Sequence, residues 1–246
     1  MSNETSAAPE HLPERVVNGV LLVDKPQNWT SFDGVNYVRR IVATYVGKKP
    51  KHTKVGHTGT LDPLATGLLV LLLGKYTKRA PELSKLDKTY EVSMQLGVTS
   101  STGDEEGEKT PLSDRRPSES ELREVLRAFT GEIKQTPPMY SAIKVNGVRA
   151  YKLARQGKEV ALEPRSATIY SLELTVYTYP EVRFTTRVSS GTYIRSLVED
   201  IGAVLKTGAY MSDLRRTSVG KFMLAEAAPV EKLDIETIQH RLIQLP

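Results

Sequence analysis

The chain has 246 residues, 39% hydrophobic and 26% charged, with a formal net charge of +5 and no cysteine. That length supports one sizeable core with at most a small appendage, and the lack of cysteine excludes a disulfide framework and any thiolate-held metal. Charge is unevenly spread: Asp33 to Asp62 encloses no other acidic residue but holds Arg39, Arg40, Lys48, Lys49, Lys51 and Lys54, which suits a solvated basic face or a polyphosphate partner.

In chain order, Met1 to Glu14 is rich in Pro, Ser, Glu and Ala and lacks an apolar core. It reads as a disordered tail of a cytoplasmic protein, neither signal peptide nor membrane anchor. Gly19 to Val23 predicts a short strand stopped at Asp24-Lys25-Pro26. Thr30 or Ser31 then caps a helix with Val35, Val38, Val42 and Tyr45 on its apolar face, ending near Gly47. Lys48 to Lys54 is a basic connector, expected to be mobile. Next, Gly56 to Gly67 has three glycines in twelve residues, and Pro63 biases Asp62 toward an extended backbone. Asp62 is therefore expected on a rigid, irregular loop. Leu68 to Leu73 follows, too short for a membrane span and patterned as a strand buried on both faces. By itself this loop fits either an aspartate bonded to its own turn or a reactive carboxylate at the lip of the core.

Lys75 to Lys88 reads as a charged helical crossing, and Tyr90, Val92, Met94 and Leu96 alternate with polar residues as in a half-buried strand ended by Gly97. Thr99 to Pro117 is polar and reads as a surface loop. Ser118 and Glu121 make a capping box for a helix with the stripe Leu122, Val125, Leu126 and Phe129, closed by Gly131. Thr136 to Gly157 combines aromatic and basic residues with Asn146-Gly147, a two-residue hairpin turn, and so is a candidate for reaching into RNA. Strands are predicted at Thr168 to Tyr177 and Val182 to Val188. Ser189 to Arg195 then runs into a helix with Leu197, Ile201, Val204 and Leu205 inward and Gly208 at its end. A basic last strand covers Leu214 to Phe222, and Asp234 to Leu245 is patterned as a terminal helix. The four histidines, His11, His52, His57 and His240, lack paired metal-ligand spacing.

The string Gly56 to Leu69 resembles the catalytic motif of TruB-type tRNA pseudouridine synthases. Further anchors between Val17 and about Leu233 resemble other motifs of that family: Gly19 to Pro26, Lys88-Thr89-Tyr90, Pro138 to Lys144 with Tyr151 to Gly157, Gly191 to Arg195, and Leu214 to Thr217. The resemblance implies an α+β fold, with a mixed, largely antiparallel central sheet flanked by helices and an RNA-gripping insertion at about residues 136–163. It implies one catalytic domain over residues 16–246, with the C-terminal PUA-type module of many relatives absent or truncated. Asn28 stands where the family usually has Gly, and Asn tolerates the same left-handed turn.

The implied reaction converts uridine 55 in the tRNA T loop from an N-glycoside to a C-glycoside. By resemblance, Asp62 is its nucleophile or electrostatic partner, acting at C1′ of the ribose or C6 of the base, and both options stay open. Arg195 is the ion-pair partner that keeps this carboxylate charged. Tyr90 packs on the target base and is a candidate to take the C5 proton. His57 would hold the reorganised T loop, Tyr193 and Leu214 would line the base pocket, and Lys25, Lys144 and Arg155 would contact the RNA. The target uridine must leave its stack, a cost of about a few kcal/mol. The expected partner is the tRNA T arm, with no cofactor, no metal and a monomeric protein. Two alternatives stand beside this reading: a non-catalytic RNA-binding or tRNA-folding factor, and a synthase acting on another RNA. A carboxylate glycosidase would need a second catalytic acid, and the motif holds one.

Overall fold

Six consecutive aliphatic side chains, Leu68 to Leu73, offer no polar face to water. Their strand is buried on both sides: Leu69, Leu71 and Leu73 pack with Val35, Val38 and Val42, whereas Leu68, Val70 and Leu72 pack with Tyr76, Leu83 and Phe222. The computed structural model describes residues 15–138, 144–145, 147–149, 153, 156 and 162–246. The expected N-terminal tail lies outside them.

In chain order the elements are β1 (Gly19–Lys25), α1 (Ser31–Tyr45), β2 (Val55–His57), β3 (Thr66–Leu73), α2 (Ala80–Leu83), β4 (Lys88–Leu96), β5 (Val98–Ser100) and β6 (Lys109–Pro111). There follow α3 (Glu119–Ala128), β7 (Gly131–Gln135), β8 (Lys144–Val145), β9 (Val148–Arg149), β10 (Arg165–Thr178), β11 (Glu181–Val188), α4 (Ile194–Val204), β12 (Ala209–Val219), β13 (Phe222–Met223), β14 (Ala228–Pro229) and α5 (Ile235–Arg241). The main sheet has the order β14-β1-β3-β12-β4-β11-β10-β7, with β2 added to β3 and β13 to β12. The β1–β14 and β3–β12 pairs are parallel and the others antiparallel, so the mixed, largely antiparallel sheet expected from sequence is present. Tyr90, Val92, Met94 and Leu96 of β4 meet Ile194, Leu197, Val198 and Ile201 of α4 in a second core.

Local chemistry explains the boundaries. Thr30 caps α1: its hydroxyl accepts from the Asp33 amide, and the Asp33 carboxylate accepts from the Thr30 amide at 2.8 Å. Asn28 adopts φ +65°, the left-handed turn expected of it. Ser118 caps α3, but the Glu121 carboxylate pairs with Arg115 rather than closing the box. Strands β8 and β9 pair with Val145 opposite Val148, and Gly147 between them adopts φ +83°, whereas Asn146 of the expected hairpin turn lies outside the described residues.

Several expectations need correction. The stretch 99–117 is more than a surface loop, because β5 and β6 form a hairpin inside it. Strand β7 and the first half of β12 escape the apolar pattern, since Gly131, Glu132, Lys134 and the sequence Ala209 to Asp213 carry few strand-forming side chains. Val204 is 56% exposed rather than inward. The basic connector forms a single 3₁₀ turn at Pro50–His52.

At Gly67 strand β12 passes close against β3. It sits at φ +98°, and a β-carbon there would stand 2.4 Å from the Arg216 carbonyl oxygen and 2.8 Å from the Arg216 amide nitrogen. Gly67→Ala is expected to cost about 3 kcal/mol and lower the melting temperature on the order of 6–12 °C, measured by thermal denaturation.

Candidate active site

One edge of β3 is shared. Strand β2 takes Leu71 to Leu73 and β12 takes Thr66 and Gly67, which leaves a gap where the loop 58–65 leaves the sheet. The Thr58 amide donates to the Val70 carbonyl at 3.1 Å, and the Arg216 side chain fills the remaining space in place of a strand. Its Nε donates to Leu68 O at 2.7 Å, Nη1 to Thr60 O at 3.4 Å and Nη2 to Gly59 O at 3.2 Å. On the other side, Ser31 Oγ donates to Leu61 O and accepts from Leu61 N at 2.7 Å. The Asn28 amide and Lys25 Nζ both reach Pro63 O, at 2.9 and 3.5 Å. The loop backbone is thus gripped from both flanks, which fixes Asp62 while leaving its side chain 41% exposed.

Arg195 comes to Asp62 from the first turn of α4. Its Nη2 lies 3.1 Å from Asp62 Oδ2, its Nε lies 3.6 Å from Asp104 Oδ2, and its Nη1 donates to Thr102 O at 3.2 Å. The Arg195 side chain is only 7% exposed. Its approach is set just upstream, where the buried Gln135 side chain bonds both the amide and the carbonyl of Tyr193 at 3.1 Å, and Ser196 Oγ donates to Thr136 O at 3.1 Å.

These groups open onto a cavity of about 300 Å³. Asp62, Tyr90, Tyr193, Arg195 and Leu214 all line it, so five of the residues singled out from sequence are brought together, joined by Ile194, Lys88 and Arg216. The volume is at the small end of ligand sites and suits a single nucleoside-sized group. A carboxylate opposite apolar and aromatic walls, paired with a buried guanidinium, can act as a nucleophile or stabilise developing positive charge.

Two expected contacts are not on that wall. His57 ends β2, opposite Leu71, one residue before the cavity-lining Thr58. Lys25 is fully buried beneath the loop, where Nζ donates to Pro26 O at 2.8 Å and Trp29 O at 2.7 Å as well as to Pro63. Burial first, and then the nearby Arg216 guanidinium, push the Lys25 ammonium down to about 8. The side chains of Lys144 and Arg155 lie outside the described residues.

Asp104 was not anticipated. It comes from the polar stretch after β5, yet it is buried, and its Oδ1 accepts from Thr102 Oγ1 and from the Glu106 amide. The Met211 amide donates to Gly103 O at 3.0 Å, which ties this turn to β12 and places the second carboxylate on Arg195.

A family model described as TruB family pseudouridylate synthase (N terminal domain) matches residues 47–194, and one described as tRNA pseudouridylate synthase B C-terminal domain matches residues 195–242. The tRNA pseudouridine synthase B of Opitutus terrae is 44% identical over 235 residues, which cover 94% of this chain and 94% of that protein. The corresponding protein of Burkholderia mallei is 44% identical over 238 residues, 96% of this chain and 74% of that one. Among solved structures, a chain of a Cbf5-Nop10-Gar1 complex aligns with a TM-score of 0.65 and 30% identity over 89% of this chain and 52% of its own. A chain of the archaeal box H/ACA sRNP Nop10-Cbf5 complex gives 0.62 and 27% over 91% and 53%, so the present chain spans about half the length of these solved ones.

Proposed function

Because the chain belongs to the TruB family of pseudouridylate synthases and is thus a tRNA pseudouridine synthase, an isomerase, we propose that it acts on uridine 55 of the T loop with Asp62 as its reactive carboxylate. The observation that carries this reading is the 3.1 Å pair between Asp62 and the buried Arg195 on the wall of a nucleoside-sized cavity.

The roles follow from placement. In this reading Tyr90, Tyr193, Ile194 and Leu214, which line the cavity with Asp62, supply aromatic and apolar surface for a pyrimidine, and Asp62 reaches the bond between base and sugar. A cavity of this size admits no base pair, which supports extrusion of the target nucleotide. Asp62 has two routes open to it. It can bond to C1′ as the N1–C1′ bond breaks, or add to C6, after which the N1–C1′ bond breaks with its electron pair left on N1. In either case the base turns, C5 bonds to C1′, the C5 proton leaves, N1 gains a proton and the carboxylate is released. In this reading Tyr90, which lines the same cavity, relays the C5 proton. A second concavity beside β2, lined by Arg15, Lys48, His52, Lys54, Lys75 and Lys78, supports contacts to the phosphates of the T arm.

Release of the C5 proton gives the test. With tRNA transcribed from 5-tritiated uridine, the protein is expected to free tritium into water in proportion to pseudouridine made. A non-catalytic RNA-folding factor would bind the same transcript and release none.

Asp104 positions Arg195 in this scheme. Asp104→Asn keeps the shape but removes the second charge, equivalent to about 1.5–3 kcal/mol for a hydrogen bond to a charged group. Single-turnover tritium release is expected to fall on the order of tenfold to a hundredfold, with tRNA affinity by filter binding within about threefold of the original, since Asp104 is buried.

A further inference from the structure

Lys88 and Arg216 line the same cavity as Asp62 and Arg195, but their circumstances differ. Their recorded polar contacts are all backbone carbonyls: Lys88 Nζ donates to Ser84 O at 2.7 Å and Leu86 O at 2.5 Å, and Arg216 donates to Leu68, Thr60 and Gly59. Among the described residues neither has a carboxylate within ion-pairing distance, although the two side chains are only 6% and 1% exposed. They flank one point of the Asp62 loop, since a β-carbon on Gly59 would lie 3.5 Å from Arg216 Nη1 and 3.8 Å from Lys88 Cε. Lys88 also precedes Tyr90 by two positions on the inward face of β4.

Two buried cations without a counter-ion are costly in a resting protein, and burial, followed by the Arg216 charge, pushes the Lys88 ammonium down to about 8. A phosphate on the outer RNA backbone does not explain them, because such an anion meets exposed cations. A group that enters the cavity does. This inference rests on the pseudouridine-forming role of the site.

Both routes open to Asp62 load negative charge onto the pyrimidine. If the N1–C1′ bond breaks, its electron pair stays on N1 and the uracil monoanion spreads it over O2 and O4, while C1′ gains a bond to the carboxylate oxygen. If Asp62 adds to C6, the C5–C6 pair moves to O4 as an enolate, the N1–C1′ bond then breaks with its pair left on N1, and the bond from C6 to the carboxylate oxygen breaks when the C5 proton departs. The charge is discharged when C5 bonds to C1′, the C5 proton departs and N1 is protonated, with no atom gained or lost. We propose that Lys88, backed by Arg216, is a further catalytic residue of this site, donating its remaining N–H to the pyrimidine anion formed in mid-reaction. Positive charge fixed in the cavity wall before substrate arrives is preorganised for an anion that exists only during turnover.

The test is single-turnover tritium release from 5-tritiated-uridine tRNA across pH 6–10, for the unaltered protein, Lys88→Arg and Lys88→Met. The unaltered protein is expected to slow above about pH 8 as the ammonium loses its proton. Lys88→Arg, which stays charged, is expected to remain active without that fall. Lys88→Met is expected to be slower by about 100-fold at pH 7, with tRNA dissociation constant and melting temperature near the original. The charged groups around Lys88 are Arg216 from β12, Asp87 beside it in the chain, and Asp62 and Arg195 across the cavity. All are kept in both variants. A merely structural lysine would slow Lys88→Met only through a lowered melting temperature. The inference is overturned by a Lys88→Met rate within threefold of the original, by an alkaline fall that persists in Lys88→Arg, or by no fall up to pH 9 in the unaltered protein. Should Lys88→Met not fold, the two pH profiles decide. A protein that frees no tritium at any pH would instead refute the proposed function, leaving Lys88 without a reaction to serve.

Discussion

Asp62→Asn is expected to abolish pseudouridine formation, with single-turnover tritium release slowed by about 10⁴-fold or more, while tRNA binds within a few-fold of the original. Asparagine matches the carboxylate in shape but is neutral and a poor nucleophile, so it can neither form and release the adduct nor offset positive charge on the sugar. The fold should tolerate the change. Asp62 is 41% exposed, its loop is held through backbone groups by Arg216, Ser31, Asn28 and Lys25, and Arg195 still has Asp104. Loss of activity with an unchanged melting temperature would therefore report chemistry. A variant that keeps a tenth of the rate would show that the carboxylate is not the reacting group.

Arg195→Met should fail on both counts. It leaves the buried Asp104 carboxylate without its cation and frees Asp62 to swing into water. Removing one member of a buried pair costs about 3–5 kcal/mol, so the melting temperature should fall on the order of 6–20 °C, and turnover should fall by about 10³-fold. The double variant Arg195→Met/Asp104→Asn separates the two effects. It removes the stranded charge and should regain much of the stability in thermal melts, yet none of the activity, because Asp62 still lacks its partner. Equal melting temperatures for the single and double variants would show that the Asp104–Arg195 contact carries no structural burden.

How much of this was legible beforehand depended on whether the signal was local. Strand β3 and helix α1 were readable because six aliphatics admit no exposed face and because a capping residue at Thr30 or Ser31 precedes the stripe Val35, Val38 and Val42. The alternation of β4 was equally plain, and it places Lys88 on the same buried face as Tyr90 and Val92; the cue for a buried cation was present but overshadowed by the tyrosine. Asp62 and Arg195 are 133 positions apart, so only the resemblance of their two motifs joined them before the 3.1 Å contact was seen. Asp104 had no comparable cue. Thr-Gly-Asp in a polar stretch is what an exposed turn looks like, and its burial depends on the distant Met211 amide. Arg216 reads as one basic residue among several, whereas its place in the gap along β3 arises only when β2 and β12 divide that edge. Lys25 shows the reverse: a cation expected to meet RNA is spent on the carbonyls beneath the loop.

The reaction proposed for this site is the isomerisation of one uridine of the T loop. The most direct measurement maps pseudouridine along an unmodified tRNA transcript, by carbodiimide adducts read as primer-extension stops, beside a transcript carrying cytidine at position 55. A single enzyme-dependent stop is expected at position 55 in the first transcript and none in the second. A stop elsewhere, or the same stop pattern in both transcripts, would contradict it.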